Sequence, residues 1–458
     1  MLTVASRPEA TADPPESQNP AAPERIRVEP VRPDLPVWPL TLLFAGFPVF
    51  WLLGLGAFAA PIAATTMIAH MMLRGGIRSP RGYGVWLLFL IWMFFAGTQI
   101  DTFGRGIGFV FRSLNYGAAT VIFLYVFNSS RVRLPVRRMV GLVTLFWVWV
   151  VIGGFLGVLM PKFGLTTPFE MMLPKSIASN DYVRDLVHPR MAEIQQPWGA
   201  PTPYNRPRAP FPYTNAWGSH YALLFPFVVL MVTWARPAVR FLLVGLMAAS
   251  LVPAFATLNR GMFLAVVAGV LYTAVRYLQR GHVRWPAAVI ALMSLGGIVA
   301  LLGGVVSGVS SRTTYSSTSS DRIGLYVETF VRTLDSPILG YGAPRPSEQY
   351  VVSVGTQGQF WNVMFSYGFP GLALFCGCLW LLAWRTRRVR ADRLLWLHAV
   401  LVMCSFMLFY YGLDQTELVL IFIAAALVLR EPQSARPGLP GVRRITGVRA
   451  AVRQGGRG

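Results

Sequence analysis

Arginines at the borders of apolar segments are the residues of this chain best suited to chemistry. Arg260 lies in the run Thr257-Leu258-Asn259-Arg260-Gly261, between two apolar stretches, and Arg322 directly follows Asp321. Arg208 precedes an aromatic and proline-rich segment that leads into a further apolar stretch, and Arg206 is its close competitor. A guanidinium is planar, stays charged and donates two parallel hydrogen bonds, which suits phosphate oxygens better than the ammonium of lysine. These arginines predict a site for an anionic headgroup, above all a diphosphate.

The same arginines have an ordinary structural explanation as well. Arg322 has Asp321 beside it and Glu328 two helical turns away, so an ion pair there would account for its presence. Arg260 would then serve as an anchor at a membrane interface, where arginine side chains reach toward the headgroups.

The composition determines which kind of element must position these side chains. Of the 458 residues, 54% belong to the hydrophobic set and only 13% are charged, about half the share of an ordinary soluble chain. This composition excludes a soluble enzyme, a disordered protein and a secreted disulfide scaffold. The three cysteines all fall inside apolar stretches, so no disulfide framework or metal cluster is expected.

The hydropathy pattern predicts an all-α polytopic membrane protein with about twelve spanning helices, each needing roughly 20 apolar residues. The predicted stretches are 38–54, 56–73, 85–100, 109–127, 139–160, 220–235, 239–257, 261–278, 285–306, 359–384, 394–411 and 413–430.

The distribution of arginine predicts the orientation of these spans. The net charge is +22, and the arginines concentrate in alternate loops, as expected where short cytoplasmic loops retain Lys and Arg. Both termini are therefore predicted to be cytoplasmic, and the positive charge is read as a topology signal rather than a nucleic-acid surface. The predicted organisation is a disordered tail 1–36, an N-terminal bundle 37–160, an extracytoplasmic loop 161–219, central helices 220–306, a second extracytoplasmic loop 307–358, C-terminal helices 359–430 and a basic tail 431–458.

The second long loop contains an amphipathic stretch from Arg322 to Leu334. Ile323, Tyr326, Val327, Phe330 and Leu334 recur there at helical spacing. The pattern predicts a helix that lies on the membrane surface or covers a cavity, and a packed structural cap is the alternative interpretation.

Four segments in order resemble the O-antigen ligase and O-antigen polymerase superfamily of polytopic glycosyltransferases. Leu258-Asn259-Arg260-Gly261-Met262 resembles its Ser-Arg-Gly-small motif, and Arg322 followed by Ser336-Pro337-Ile338-Leu339-Gly340-Tyr341-Gly342 resembles its outer-loop arginine and Gly-x-Gly motif. The stretch Gln357–Gly371 resembles its His-Asn-x-Tyr-Leu stretch, and Arg208 with Phe211 and Asn215 resembles the segment before the middle spans. The resemblance covers residues 205–430.

The resemblance implies a GT-C-like fold and a metal-independent glycosyl transfer, with no cofactor, on the outer face of the cytoplasmic membrane. The donor would be a polyprenyl-diphosphate-linked oligosaccharide, the acceptor a glycan or a lipid, and nucleic acid would not be a partner. Arg260, Arg322, Gln357 and His220 would be the catalytic residues. Arg208, Arg206, Asn215 and Asp321 would bind substrate.

One position departs from the family pattern. Gln357 stands where many ligases have a histidine, and a glutamine amide forms hydrogen bonds but does not titrate as a general base. The candidates for a base elsewhere are His220, Asp321, Glu348, Asp414 and Glu417.

Two further function classes compete with the glycosyltransferase. A transporter or flippase for lipid-linked sugars predicts charged residues near the middle of several spans, and these stretches are almost free of them. A structural scaffold leaves the order of the four segments unexplained. The sequence therefore favours the enzyme.

Overall fold

The computed structural model describes residues 33–196, 203–284, 318–350, 352–413 and 415–431, without the side chains of residues 318–321. The described residues from Asp34 onward belong to one compact unit. Seventeen α-helices and one β-hairpin are found there: α1 Trp38–Ala45, α2 Phe47–Leu52, α3 Ala59–Arg74, α4 Gly84–Ala96, α5 Phe103–Asn128, α6 Val136–Leu159, α7 Pro168–Met172, α8 Lys175–Ala178, α9 Asp181–Val187, β1 Ala192–Gln195, β2 Tyr204–Pro207, α10 Thr214–Trp234, α11 Pro237–Ala249, α12 Leu251–Ala256, α13 Arg260–Leu278, α14 Thr318–Asp335, α15 Gln359–Thr386, α16 Leu395–Met407 and α17 Thr416–Arg430.

The chain is an α-helical multi-pass membrane protein, as the hydropathy pattern predicts. Among the described residues, seven helical segments are long and apolar enough to cross a membrane. They are Gly56–Arg74, Phe103–Asn128, Val136–Leu159, Thr214–Trp234, Pro237–Ala256, Arg260–Leu278 and Gln359–Thr386, with the shorter apolar segment Gly84–Gln99 beside them.

The count of twelve spans stays a prediction, because several predicted stretches differ from single long helices. The first stretch is divided into α1 and α2, which meet at Gly46, and the seventh into α11 and α12, which meet at Ser250. The last two stretches contain helices of only 13 and 15 residues. The predicted tails and the stretch 285–306 lie outside the described residues, so the cytoplasmic placement of the termini also stays a prediction.

The centre of the bundle is α17 rather than one of the longer helices. Its residues from Glu417 to Val428 are buried, and it packs against α5, α10, α15 and α16. A helix that is apolar on every side belongs in the interior, and the run Ala424-Ala425-Ala426 lets the neighbouring backbones approach closely. The polar end of α17 at Glu417 lies where the long loops meet the bundle.

We call that end of the bundle, where residues 160–196, 203–213, 336–350, 352–358 and 408–413 lie, the loop end. The antiparallel β1–β2 hairpin belongs to it, in the register Glu193 opposite Arg206. A two-stranded sheet is a small addition to the all-α class that the hydropathy pattern predicted.

Glycines of α6 bring the hairpin close to the bundle. A Cβ on Gly157 would lie 2.5 Å from the carbonyl oxygen of Met191 and 2.8 Å from Pro207, and one on Gly153 would lie 2.4 Å from the carbonyl oxygen of Ala209. Only glycine permits such an approach of two backbones. The segment that carries Arg206 and Arg208 is thereby placed directly on α6.

Candidate functional site

The turn before α13 orients Arg260. Leu258 has a positive φ of 52°, which is unusual for a residue with a branched side chain, and α13 then begins at Arg260. Asn259 at the N-cap position is buried, and its side-chain oxygen accepts a hydrogen bond from the hydroxyl of Tyr411. Arg260 itself is exposed at the positive end of the helix dipole. The guanidinium and the first N–H groups of α13 together favour an anion there.

Two glycines make this turn possible. A Cβ on Gly261 would lie 2.9 Å from the ring of Tyr410 and 3.2 Å from the hydroxyl oxygen of Tyr411. A Cβ on Gly218 of α10 would lie 2.2 Å from the amide nitrogen of Asn259. The glycine of the Asn259-Arg260-Gly261 motif therefore has a packing reason, since the two tyrosines occupy the space of its missing side chain.

Arg206 connects the hairpin to the same turn. Its Nε donates to the carbonyl oxygen of Thr257 at 2.8 Å, and its Nη1 donates to Gln195 Oε1 at 3.0 Å and lies 3.6 Å from Glu193 Oε2. Burial lowers the pKa of Arg206, and the positive charge of Arg322 lowers it further. The charge of Arg322 thus acts on Arg206, which is itself bonded to the α12–α13 turn.

Arg208 lies apart from this group, although it is only two residues from Arg206. Its Nε donates to the carbonyl oxygen of Arg190 at 3.3 Å, and its Nη2 lies 3.7 Å from Asp185 Oδ1. Burial is the largest cause of its lowered pKa, and the charge of Arg190 contributes. No described contact joins Arg208 to Arg260 or Arg322.

The helix predicted over 322–334 lies within α14, and its apolar face packs on the protein only in part. Tyr326 stacks on the ring of Trp361 and Phe330 lies against Phe369, whereas Ile323 and Val327 are 63% and 58% exposed within the described part of the chain. Thr329 and Thr333 are fully buried, and their hydroxyls donate to backbone carbonyls one turn earlier. The structural cap and the membrane-surface helix both stay predictions for this face.

The ion pairs of α14 also bear on the alternative explanation for Arg322. Glu328 Oε1 lies 3.2 Å from Nη1 of Arg332, and Glu328 Oε2 accepts a hydrogen bond from Ser347 at 2.5 Å. Glu328 is therefore engaged by Arg332 on the following turn. Asp321 is helical, and its side chain lies outside the described residues.

The Gly-x-Gly motif after α14 closes a break in α15. Gly368 has φ 68° and ψ −176°, which interrupts the helix and frees backbone groups. Tyr341 N donates to the carbonyl oxygen of Phe365 at 3.0 Å, and Gly342 N donates to that of Ser366 at 2.8 Å. In return, Phe369 N donates to the carbonyl oxygen of Pro337 at 2.8 Å. The loop supplies the partners that the broken helix lacks, and it anchors the C-terminal end of α14 to the bundle.

Arg105 is a residue that the sequence analysis missed. Its guanidinium donates to the carbonyl oxygens of Tyr341, Ala343 and Pro344, and it is paired with Asp101. These contacts tie the start of α5 to the segment that follows α14. A single arginine in an apolar sequence is a weak signal, and nothing in its own neighbourhood points to a partner more than 230 residues away.

Gln357 and Gln359 have different environments. Gln357 is half-buried, and its amide donates to the hydroxyl of Thr356 at 3.2 Å. Gln359 is fully buried, donating to the hydroxyl of Tyr116 at 2.7 Å and accepting from Leu413 N at 2.8 Å. Gln357 thus has the more accessible amide, while Gln359 holds α15 against α5 and the turn before α17.

His220 lies inside the bundle rather than at an open mouth. It is fully buried, its Nδ1 lies 2.7 Å from the carbonyl oxygen of Ala216 and 3.2 Å from Glu417 Oε1, and Phe211 stacks on its ring. The hydroxyl of Ser219 donates to Glu417 Oε1 at 2.8 Å. This buried cluster lies beside Gly218, directly behind the turn of Asn259.

Three candidate residues remain. Asn215 is exposed in the first turn of α10, and Glu348 is exposed in the loop after α14. Asp414 lies outside the described residues. In the part of the chain that the structure describes, no group of three or more His, Cys, Asp or Glu side chains is arranged as metal ligands.

Comparison with known proteins identifies a family for the central part of the chain. Residues 245–376 match the family model described as O-antigen ligase. No curated protein sequence matches the chain. The matched range contains Arg260, Arg322 and Gln357, whereas Arg206, Arg208 and His220 precede it. The match confirms the resemblance seen in the motifs: residues 245–376 of this membrane protein are similar to the O-antigen ligase family.

Proposed function

We propose that this protein transfers or polymerises a polyprenyl-diphosphate-linked glycan on the outer face of the cytoplasmic membrane, in the synthesis of a cell-surface polysaccharide. The observation that carries the proposal is that Arg206 bonds to the turn before Arg260 at the loop end, where the charge of Arg322 also acts on it. Three guanidinium groups from separate elements, beside a helix N-terminus, suit the two phosphates of a lipid diphosphate.

The donor is proposed to lie with its lipid in the bilayer and its diphosphate against these arginines. The exposed side chains of Ile323 and Val327 on α14 support this placement, because apolar groups within a turn or two of Arg322 suit contact with a membrane surface. The concentration of arginine in the alternate loops supports an outer-face location of the loop end.

In the reaction, an acceptor hydroxyl forms a bond to the anomeric carbon, and the bond from that carbon to the diphosphate oxygen breaks. The diphosphate leaves with the electron pair, so its negative charge grows in the transition state. Guanidinium groups that are already oriented stabilise that charge without reorganising, and the transfer then needs no metal ion. The loss of one such donor typically costs about 10²–10³-fold in rate.

Gln357 is proposed to position the acceptor hydroxyl through its half-buried amide. The hydroxyl proton is proposed to pass to an oxygen of the departing diphosphate, directly or through water, since a glutamine amide does not accept it. His220 and Glu417 are buried behind the Asn259 turn and are proposed to shape the site from there. Asn215 and Asp321, at the starts of α10 and α14, are proposed to contact the glycan.

The test uses purified protein in nanodiscs with a polyprenyl-diphosphate-linked oligosaccharide pool from its own host. The measured quantity is free polyprenyl diphosphate, released in the presence of EDTA, for the wild type, Arg260→Ala and Arg322→Ala. We expect release by the wild type and a loss of about 10²-fold or more in each variant. Arg184→Ala is the matched control, because Arg184 is exposed and pairs with Asp181 on α9.

Two results would overturn the proposal in different ways. Full activity of both Arg260→Ala and Arg322→Ala would remove the diphosphate-binding role of the arginines. An absence of release by folded protein that binds the donor would favour transport of the same lipid. The length of the glycan product separates a ligase from a polymerase.

A further inference from the structure

A second basic site lies beside β1, on the side of the hairpin where Arg208 lies. It is a cleft of about 640 Å³, formed by the segment after α6, the segment after α9 and strand β1. The charged side chains that line it are Lys162, Arg190, Glu193 and Arg208, with His188 at one wall. Arg322 and Arg260 do not line this cleft.

Arg208 is the buried base of the cleft, and its guanidinium is incompletely bonded. Its side chain is 5% exposed, and within the described part of the chain its buried Nη2 has no hydrogen-bond partner. The carboxylate of Asp185 is 3.7 Å away, too far for a hydrogen bond. The charge of this buried guanidinium is therefore only partly compensated, which favours an anion in the adjoining cleft.

The charges around the cleft favour an anionic ligand. Lys162 and Arg190 are exposed cations at its edge. The one carboxylate that lines it, Glu193, is already engaged, because its Oε1 accepts from Thr214 N at 2.9 Å and its Oε2 lies 3.6 Å from Arg206. Within the described residues, three cations and one bonded carboxylate therefore line the cleft, and Asp185, outside the lining, compensates part of the charge of Arg208.

The distance between this cleft and the proposed diphosphate site is short. Arg206 faces Thr257 and the Arg322 side, whereas Arg208 faces Arg190 and Asp185. Glu193 and Gln195, which line the cleft, both contact Arg206. The cleft therefore adjoins the proposed diphosphate site.

We propose that this cleft binds an anionic substituent, a carboxylate or a phosphate, on the glycan that the protein transfers or extends. Arg208 binds the anion at the base, and Lys162 and Arg190 hold it at the edge. The assignment of the ligand to a glycan rests on the proposed function, whereas the preference for an anion rests on the cleft itself. The protein would then select glycans that carry an acidic unit near the reacting end.

The test measures binding to the full-length protein in nanodiscs of zwitterionic lipid at 0.15 M salt. The probes are fluorescent oligosaccharides of equal length, one an oligogalacturonate, one a phosphorylated oligomannose and one a neutral maltooligosaccharide. We expect at least one anionic probe to bind 10-fold or more tightly than the neutral probe, and the tighter of the two identifies the substituent.

Lys162 and Arg190 are exposed, so their variants are expected to retain the fold. Lys162→Gln and Arg190→Gln should each weaken binding of the anionic probe about 3- to 10-fold. Arg208→Gln, at the buried base of the cleft, should abolish the preference of the protein for the anionic probe. Arg184→Gln, on neighbouring α9 and outside the cleft, is expected to bind as the wild type does. Arg322→Ala is also expected to keep the preference, because it removes a cation of the other site.

Equal binding of all three probes would overturn the proposal, as would wild-type affinity in both Lys162→Gln and Arg190→Gln. If Arg322→Ala lost the preference for the anionic probe while Arg190→Gln kept it, the anion would be assigned to the diphosphate site, and the proposal for the cleft would be overturned as well. The release assay keeps the two proposals distinguishable. Release without an anionic preference refutes the cleft alone, and an anionic preference without release refutes the transfer function alone.

Discussion

The break at Gly368 provides a prediction whose magnitude follows from the structure. With φ 68° and ψ −176°, this residue occupies a backbone region open in practice only to glycine, and any other residue there costs about 1–3 kcal/mol. A Cβ at this position would lie 2.2 Å from the carbonyl oxygen of Ile338 and 2.5 Å from that of Pro337. Gly368→Ala therefore displaces the loop that carries these two carbonyls.

Displacement of the loop breaks three backbone hydrogen bonds between the loop and α15, each worth about 1 kcal/mol. With the backbone strain, the total loss of stability is roughly 4–6 kcal/mol. The same loop anchors the end of α14, so we expect the orientation of Arg322 to be lost as well.

The assay is thermal unfolding in one detergent, followed by tryptophan fluorescence, together with release of polyprenyl diphosphate. We expect Gly368→Ala to lower the midpoint of unfolding by on the order of 10 °C and to reduce release strongly. Gly377→Ala is the matched control on the same helix, because its Cβ would meet nothing within 4 Å and alanine favours a helix. A midpoint for Gly368→Ala equal to that of Gly377→Ala would refute the role given to the break.

Three further predictions concern the site and its supports. Tyr411→Phe removes the hydroxyl that holds Asn259, so we expect about a 10-fold lower release rate at unchanged expression, and an unchanged rate would show that the bond does not orient the turn. Arg322→Lys should release less polyprenyl diphosphate, since a point charge replaces a planar group with two parallel donors. Gln357→His should show no large loss of release. Normal release by Arg322→Lys would reduce the role of Arg322 to simple charge, and an inactive Gln357→His would show that the amide itself is required. The pKa of Asp101 is lowered, chiefly by its hydrogen bond from Arg105. The ionised carboxylate of Asp101 therefore stabilises the fold above about pH 4, the pKa of an aspartate in the unfolded chain, and this stabilisation is lost as the pH falls through the lower pKa of the folded state. The unfolding midpoints of wild type and Asp101→Asn should thus differ at pH 5–8 and converge in stronger acid.

Much of the architecture was predictable, because hydropathy and charge act over short segments of chain. A long apolar run has to form a helix in a membrane, since its backbone groups find no other partners there. The periodicity from Arg322 to Leu334 likewise predicted α14. It did not determine which face of that helix packs on the protein, because the burial of Thr329 depends on its bond to the distant Gly355 N.

The candidate site was predictable in its residue types and only partly in its arrangement. Arg206 and Arg208 are equivalent by sequence, and the packing of the hairpin on α6 turns them toward different partners. His220 precedes a long apolar run, which suggested an exposed position, yet α17 and Phe211 enclose it. Arg105 had no local signal at all, since its partners belong to a segment that only the folded chain brings near.

By itself, then, the sequence determined the membrane-spanning class, the amphipathic α14, the family motifs and the arginine chemistry, because each depends on residues close together along the chain. The tertiary structure decided which arginines share a site, that α17 is the central helix, and that the Gly-x-Gly loop completes the broken α15. These outcomes depend on contacts between segments tens to hundreds of residues apart, and no short-range pattern specifies such contacts.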